Sequence, residues 1–254
     1  MKRYAGLVEY DGADFAGWAT QPDLRTVEGV LSEALQTVLR QPVKLGVAGR
    51  TDAGVHASGQ VVSFEADTEL SPSLISYKTT AVLPKDAALR RCVAVHDDFD
   101  ARRNATSRTY EYAVVSDEIR SPLMRHRASY APQRLDLDLL FTAGELVEGA
   151  HDFRAFTPSK GYHDRFERVV THSRWTTHDD LLTYRITADS FLYGMVRTLV
   201  GTMLEVAGGK RDLTQFWRLL SGGERSEAGP AVPSRGLTLV GVGYDYPDLW
   251  RSER

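Results

Sequence analysis

The stretch Gly49-Arg50-Thr51-Asp52-Ala53-Gly54-Val55-His56-Ala57-Ser58-Gly59-Gln60 gathers three glycines, a carboxylate, a guanidinium, an imidazole and an amide into twelve residues. An apolar, β-branched run, Val43 to Val47, precedes it, and Val61-Val62-Ser63-Phe64 follows. A polar loop punctuated by glycine between two strand-like runs is where working residues concentrate on a rigid scaffold. Asp52 sits at its centre. The question is what frame holds that loop.

Outward from it, the pattern is helical, then extended, on both sides. Arg3 to Tyr10 alternates as a half-buried strand does. Thr26 is placed to cap a helix whose apolar positions, Val27, Val30, Leu31, Ala34, Leu35, Val38 and Leu39, follow the i, i+3, i+4, i+7 rule up to Arg40. Ser71-Pro72 opens a second helix, cap then first-turn proline, which runs to about Leu83 before Pro84. Strand-like runs at Gln60–Ala66 and Leu89–Val95 flank it. The first hundred residues therefore read β-α-β-β-α-β, a split βαβ arrangement.

The polar, basic residues near Phe99 to Thr106 mark a boundary, giving halves 1–105 and 106–254. The second half repeats the first in outline. Strands are predicted at Arg108–Val115, Phe166–Thr176, Leu182–Ala188 and Leu237–Tyr244. Helices are predicted over Asp136–Val147, with Gly149 beyond its end, over Phe191–Ala207, and from Asp212. The fold class is α+β.

Composition narrows the function. The single cysteine, Cys92, excludes an intramolecular disulfide and leaves no cysteine cluster for zinc. No apolar run approaches membrane-spanning length, and Met1 to Gly6 reads as the start of a strand rather than a signal peptide, so the cytoplasm is the expected compartment. A net charge of −3 gives no global pull towards nucleic acid. Basic residues nonetheless cluster at Arg90-Arg91, Arg102-Arg103, Arg108, Arg125-His126-Arg127 and Arg165 with Arg168. An RNA partner requires these on one face.

Several chemistries fail on motif grounds. Gly49 to Gly54 has Walker-like spacing, but Val55-His56 stands where a phosphate loop needs Lys-Ser/Thr. Asp52 and His56 are four apart, yet no third metal ligand is identifiable and no His-Glu-x-x-His exists. No Gly-x-Ser-x-Gly elbow is present. What remains is Asp52 as a lone carboxylate beside Arg50. As a bare pattern such an aspartate more often closes its own loop as an Asx-turn. As a catalyst it must stay ionised, which an arginine partner favours, and it can then attack an electrophilic carbon or withdraw a proton.

The run Gly-Arg-Thr-Asp-Ala-Gly-Val-His-Ala at 49–57 resembles the signature of the tRNA pseudouridine synthase A family. The match continues in order along the chain. It takes in Tyr10-Asp11-Gly12 with Phe15-Ala16-Gly17-Trp18, Gln21-Pro22, and Thr26-Val27-Glu28-Gly29. It continues with Phe99-Asp100-Ala101-Arg102, Arg108-Thr109-Tyr110, and Gly149 to Phe153. Phe191-Leu192 with Met195-Val196-Arg197 and Gly201, and Ala228 to Pro233 with Gly236-Leu237, complete it. Two places depart from the family pattern. Ala19 stands where Gln is usual, and Tyr193-Gly194 replaces basic or histidine residues, with a glycine that costs roughly 1 kcal/mol inside a helix.

The resemblance implies a pseudouridine synthase fold: two similar ferredoxin-like, RRM-like halves, a mixed, mainly antiparallel sheet flanked by helices, and a central cleft. It implies isomerisation of uridine to pseudouridine in the anticodon stem-loop of tRNA, at tRNA positions 38–40. Asp52 is then the catalytic nucleophile or base, with Arg197 pairing it and Tyr110 stacking on the target base. Leu237 is an apolar wall, and Arg50 fills the space that the flipped base leaves. No cofactor and no metal is expected, since isomerisation exchanges no electrons and consumes no water. The family's homodimeric state is inherited as an expectation. Two other classes remain: an RNA-binding module without chemistry, and a carboxylate-dependent nucleoside hydrolase, which would need a second placed carboxylate.

Overall fold

The computed structural model describes residues 1–158, 164–246 and 249. The chain divides into two compact units, residues 1–107 with 239–254, and residues 108–238. The sequence pattern had counted the last strand with the second half; its residues from Leu239 onward pack in the first unit.

In the first unit, strand β1 (Lys2–Tyr10) lies between β3 (His56–Ala66) and β4 (Ala87–Val95), antiparallel to both. The two-residue β2 (Gly46–Val47) adds to β3, so only the end of the Val43–Val47 run is strand. Helix α1 (Val27–Leu39) is capped by the Thr26 side chain and stops at Arg40 in the left-handed conformation. Helix α2 (Pro72–Val82) is capped by Ser71 and ends at Leu83. These are the elements the local chemistry predicts. The face of β3 beside β10 (Leu237–Tyr244) needs a glycine, because a Cβ on Gly59 would stand 2.3 Å from the Val240 carbonyl. Tyr244 closes this end by donating from its hydroxyl to Ala101 O at 2.6 Å.

In the second unit the sheet runs β5 (Ala105–Val115), β9 (Leu181–Ala188), β8 (Glu167–His178), β7 (Gly149–Asp152), with each neighbouring pair antiparallel. A two-residue parallel strand, β6 (Ser129–Tyr130), adds to β5, so the strands are mixed but mainly antiparallel. Helix α3 (Leu137–Glu145) has Asp136 as its cap, and α5 (Leu213–Leu220) is closed by an Asp212–Gln215 capping box. Helix α4 (Met195–Ala207) is almost wholly buried along its length.

Helix α4 starts four residues later than periodicity suggests. Gly194 is its cap, at φ +68°, a left-handed conformation open to glycine. The Thr157 hydroxyl donates to Tyr193 O at 3.0 Å and ties the approach segment elsewhere. Gly194 therefore carries no mid-helix penalty; it makes the turn into the helix.

Candidate active site

The Asp52 loop is held from beneath by β1 and the loop that follows it. Strand β1 carries a bulge between Val8 and Tyr10, where the register to β3 shifts by one residue. Bulges re-aim side chains beside working sites. Here the Tyr10 hydroxyl lies 2.7 Å from Thr51 Oγ1 in a buried pair. The Gln60 side-chain amide donates to Gly49 O at 2.7 Å and to the Tyr10 hydroxyl at 3.4 Å. Burial pushes the Tyr10 phenol up to about 12, so at neutral pH it keeps the proton that it can give to Thr51.

Backbone bonds fix both sides of Asp52. Trp18 N–H donates to Thr51 O at 3.0 Å and Gly54 N–H donates to Phe15 O at 3.2 Å. Val55 N–H returns to Asp52 O at 3.1 Å. Gly54 takes φ +77° and Gly17 takes φ +97°. A Cβ on Gly17 would also meet Thr51 O at 2.9 Å and Ala53 N at 3.2 Å. The loop between Tyr10 and Trp18 is thus packed against the Asp52 loop backbone to backbone. Its aromatics do not present flat faces to solvent for base stacking: Tyr10, Phe15 and Trp18 are all buried, with ring centroids 6.1–6.4 Å from Tyr10. Arg25 lies over the Phe15 ring at 4.0 Å and pairs both oxygens of Asp86 at 2.8 Å, clamping that loop from outside.

His56, in the quoted stretch, is the first residue of β3 and only 1 % exposed. Its Nδ1 accepts from Gly12 N–H at 3.0 Å. The same nitrogen is 3.0 Å from Asp11 Oδ1. His56 is a fixture joining two loops. Asp52 itself is half-buried and Arg50 exposed. The backbone around Asp52 is anchored by these bonds, and the residue as a whole is half-buried. That is the arrangement expected of a preorganised reacting group.

Three further candidate residues belong to the second unit. Tyr110 lies on β5 opposite Ile186, 8 % exposed, with its ring edge-to-face with Phe191 at 5.0 Å. Arg197 lies in the first turn of α4. Its Nε donates to Val232 O at 2.7 Å, and Val232 N–H donates back to Arg197 O at 3.2 Å. This two-way clasp requires close approach: a Cβ on Gly201 would fall 1.9 Å from Pro230 O. Gly229 N–H completes it by donating to Thr202 Oγ1 at 3.0 Å. Leu237, the buried first residue of β10, follows Gly236, where a Cβ would sit 2.7 Å from the Tyr112 ring.

Tyr112 connects these three, and sequence reasoning passed over it. It is fully buried on β5, two residues from Tyr110 and so on the same face of the strand. Its hydroxyl donates to Pro233 O at 2.8 Å. Burial raises the phenol to about 12, opposed by a bond to Ser129 and by the Arg197 and Arg235 cations. The Tyr-Glu-Tyr alternation was the available signal. Gln60 and Thr51 were inside the quoted stretch, but only the fold reveals Tyr10 as their shared partner.

Among the described residues no group of three His, Cys, Asp or Glu side chains could hold a metal ion, and no helix is long and apolar enough to cross a membrane. Cys92 is buried, its thiol pushed up to about 12, which leaves it inert as a nucleophile.

The comparison with known proteins follows the same residues. The family model described as "tRNA pseudouridine synthase" matches residues 7–102 and 143–245. This chain belongs to the tRNA pseudouridine synthase family. Curated relatives named tRNA pseudouridine synthase A agree along nearly the whole length. The one from Aliivibrio salmonicida is 36 % identical over 98 % of this chain and 94 % of its own. The one from Streptococcus mutans is 38 % identical over 96 % of this chain and 100 % of its own. A solved Cbf5–Nop10–Gar1 complex overlaps 79 % of this chain and 53 % of its own, at TM-score 0.36 and 13 % identity. The matched segments of this synthase family member include Arg50, Asp52, Arg197 and Leu237; Tyr110 falls in the stretch between them.

Proposed function

We propose that this chain isomerises uridine to pseudouridine in tRNA, with Asp52 as the reacting carboxylate. The observation that carries the reading is the Asp52 loop, whose backbone is pinned on both sides by bonds involving Trp18, Gly54 and Val55, with Asp52 half-buried at its centre. Family membership supplies the reaction. Isomerisation exchanges no electrons and consumes no water.

The bond changes balance within the nucleotide. The N1–C1′ bond breaks, the uracil turns, the C5–C1′ bond forms, and the hydrogen leaves C5 while N1 gains one. Asp52 supplies the nucleophile or base that this exchange needs. The target base must leave its stack to be reached, and Tyr110 is the platform on which it rests. Arg197, oriented by the Val232 clasp, is the cation that holds Asp52 ionised. Leu237 walls the pocket, and Arg50 occupies the vacated position in the RNA stack. The target lies in the anticodon stem-loop, the protein works as a cytoplasmic homodimer, and the half carrying Asp52 contributes the chemistry while the other completes the RNA-binding cleft.

The test is incubation of the purified protein with an unmodified tRNA transcript, followed by chemical mapping of pseudouridine. The wild type is expected to modify uridines of the anticodon arm, and Asp52→Ala to bind the transcript and modify none. Modification by Asp52→Ala at the wild-type rate, or none by the wild type, overturns the assignment.

A further inference from the structure

The segment between β5 and α3 carries a feature that the Asp52 chemistry does not use. A cavity of about 470 Å³ opens there, lined by Arg120, Arg125 and Arg235, with Met124, Ser129 and Tyr130 among its other walls. Apart from Arg235, all of these lie in residues 103–142, between the segments that the family model matches.

The walls are built rather than draped. Strand β6 pairs Ser129 and Tyr130 with Val114 and Val115, and Ala131 N–H donates to Val115 O at 2.9 Å. The Tyr130 hydroxyl donates to Glu118 O at 2.7 Å, fastening the start of the segment to its end. Between them the chain turns tightly, with Arg127 and Ala128 N–H both donating to Met124 O at 2.9 and 3.0 Å. Arg235 reaches across to Ala128 O with its Nε at 3.3 Å.

The charge of this cavity is one-sided. Among the described residues its lining contains three arginines and no carboxylate. Among the described residues, no Asp or Glu pairs with Arg120 or Arg125; the Arg125 guanidinium donates from a terminal nitrogen to Pro122 O at 3.2 Å. Like charges gathered around one concavity repel each other and concentrate a positive potential there, an arrangement relieved by an anion. Guanidinium forks match the oxygens of a phosphate, and the apolar stretch of wall from Val115, Pro122 and Met124 suits a ribose.

We propose that this cavity holds a phosphodiester group of the bound RNA, remote in sequence from the Asp52 loop, with Arg120 and Arg125 as its ligands. This rests on the reading of the chain as a tRNA-modifying enzyme. The contact positions the substrate and reads no base.

The test is the affinity of an unmodified tRNA transcript, measured by filter binding across a salt series, for wild type and Arg120→Ala/Arg125→Ala. Loss of one phosphate contact is expected to weaken binding and to reduce the log–log salt slope by about 1. Arg120→Lys/Arg125→Lys, which keeps the charges, is expected to retain most of the slope. Thermal melting of each variant verifies that the surface changes leave the fold intact. An unchanged slope and affinity in the folded Ala variant overturns the proposal. So does a wild-type melting temperature that rises with inorganic phosphate while the RNA slope is unaffected by the substitutions, which marks a site for a free anion. If the slope falls as expected but the wild type forms no pseudouridine, the activity is misassigned and the RNA contact stands.

Discussion

Removing the Tyr10 hydroxyl probes whether the Asp52 loop is held from below. Tyr10→Phe keeps the ring in its packing against Phe15 and Trp18 and deletes one oxygen. That oxygen is 2.7 Å from Thr51 Oγ1 and accepts from Gln60 at 3.4 Å. Gln60 retains its shorter bond to Gly49 O, so the orphaned group is the Thr51 hydroxyl, which is buried. A buried polar group left unsatisfied costs about 1–3 kcal/mol. For a chain of this size each kcal/mol lowers the melting temperature by about 2–4 °C. Thr51→Val strands the phenol in the same way. The double variant removes both partners, and two apolar groups of like shape restore much of the loss. The double-mutant cycle is therefore expected to show a coupling of about 1–2 kcal/mol, beyond the roughly 0.3–0.5 kcal/mol scatter of independent sites. Urea denaturation of the four proteins measures it. In turnover of a tRNA transcript, each single variant is expected to lower kcat with little change in KM, because the bond sets the loop and touches no RNA. Additive stabilities, or a loss confined to KM, would refute the idea that this pair positions Asp52.

Other consequences follow from the same packing. Gly201→Ala forces a methyl into Pro230 O and must push the Val232 clasp away from Arg197; overpacking costs about 1–3 kcal/mol, and activity is expected to fall further than chemical denaturation implies. Gly17→Ala is expected to destabilise by at least about 1 kcal/mol from its left-handed φ alone, with loss of kcat, whereas Gly49→Ala meets open space and is expected to be mild in a thermal melt. Stability is expected to be lost in alkali. Cys92, Tyr10 and Tyr112 are raised by burial, so the folded state holds protons that the unfolded chain gives up above pH 9 for the thiol and 10 for the phenols. Their contribution is intact below those values and disappears as pH rises towards about 12. Denaturation midpoints from pH 7 to 11 measure this, and Cys92→Ala is expected to remove the earliest part of the decline.

Much of the fold was legible because its signals are local. Thr26, Ser71, Asp136 and Asp212 each accept from a backbone N–H in the first turn of the helix they were read to start, since a cap is settled within four residues. The start of α4 was not, because the turn at Gly194 and the Thr157 bond to Tyr193 depend on chain that is distant in sequence. His56 to Gly59 concealed the first residues of β3, as glycine and histidine carry no strand signal. The Tyr10–Trp18 aromatics carry no local sign of what they pack on, and tertiary contact buries them against the Asp52 loop. Residues 116–131 show no period, and their order comes from β6 and the Tyr130 bond. Asp52 itself stood out only through company: as a pattern it is a turn former, and the whole-chain resemblance raised it.

With Asp52 proposed to drive the exchange of a glycosidic nitrogen for carbon, the hydrogen lost from C5 reports that exchange directly. A tRNA transcript carrying tritium at C5 of uridine releases the label to solvent as the new C–C bond is completed. Release by the wild type is expected in step with pseudouridine formed, and none by Asp52→Ala under conditions where the transcript is bound. Tritium released by Asp52→Ala at the wild-type rate, or free labelled uracil from the wild type, would contradict that proposal.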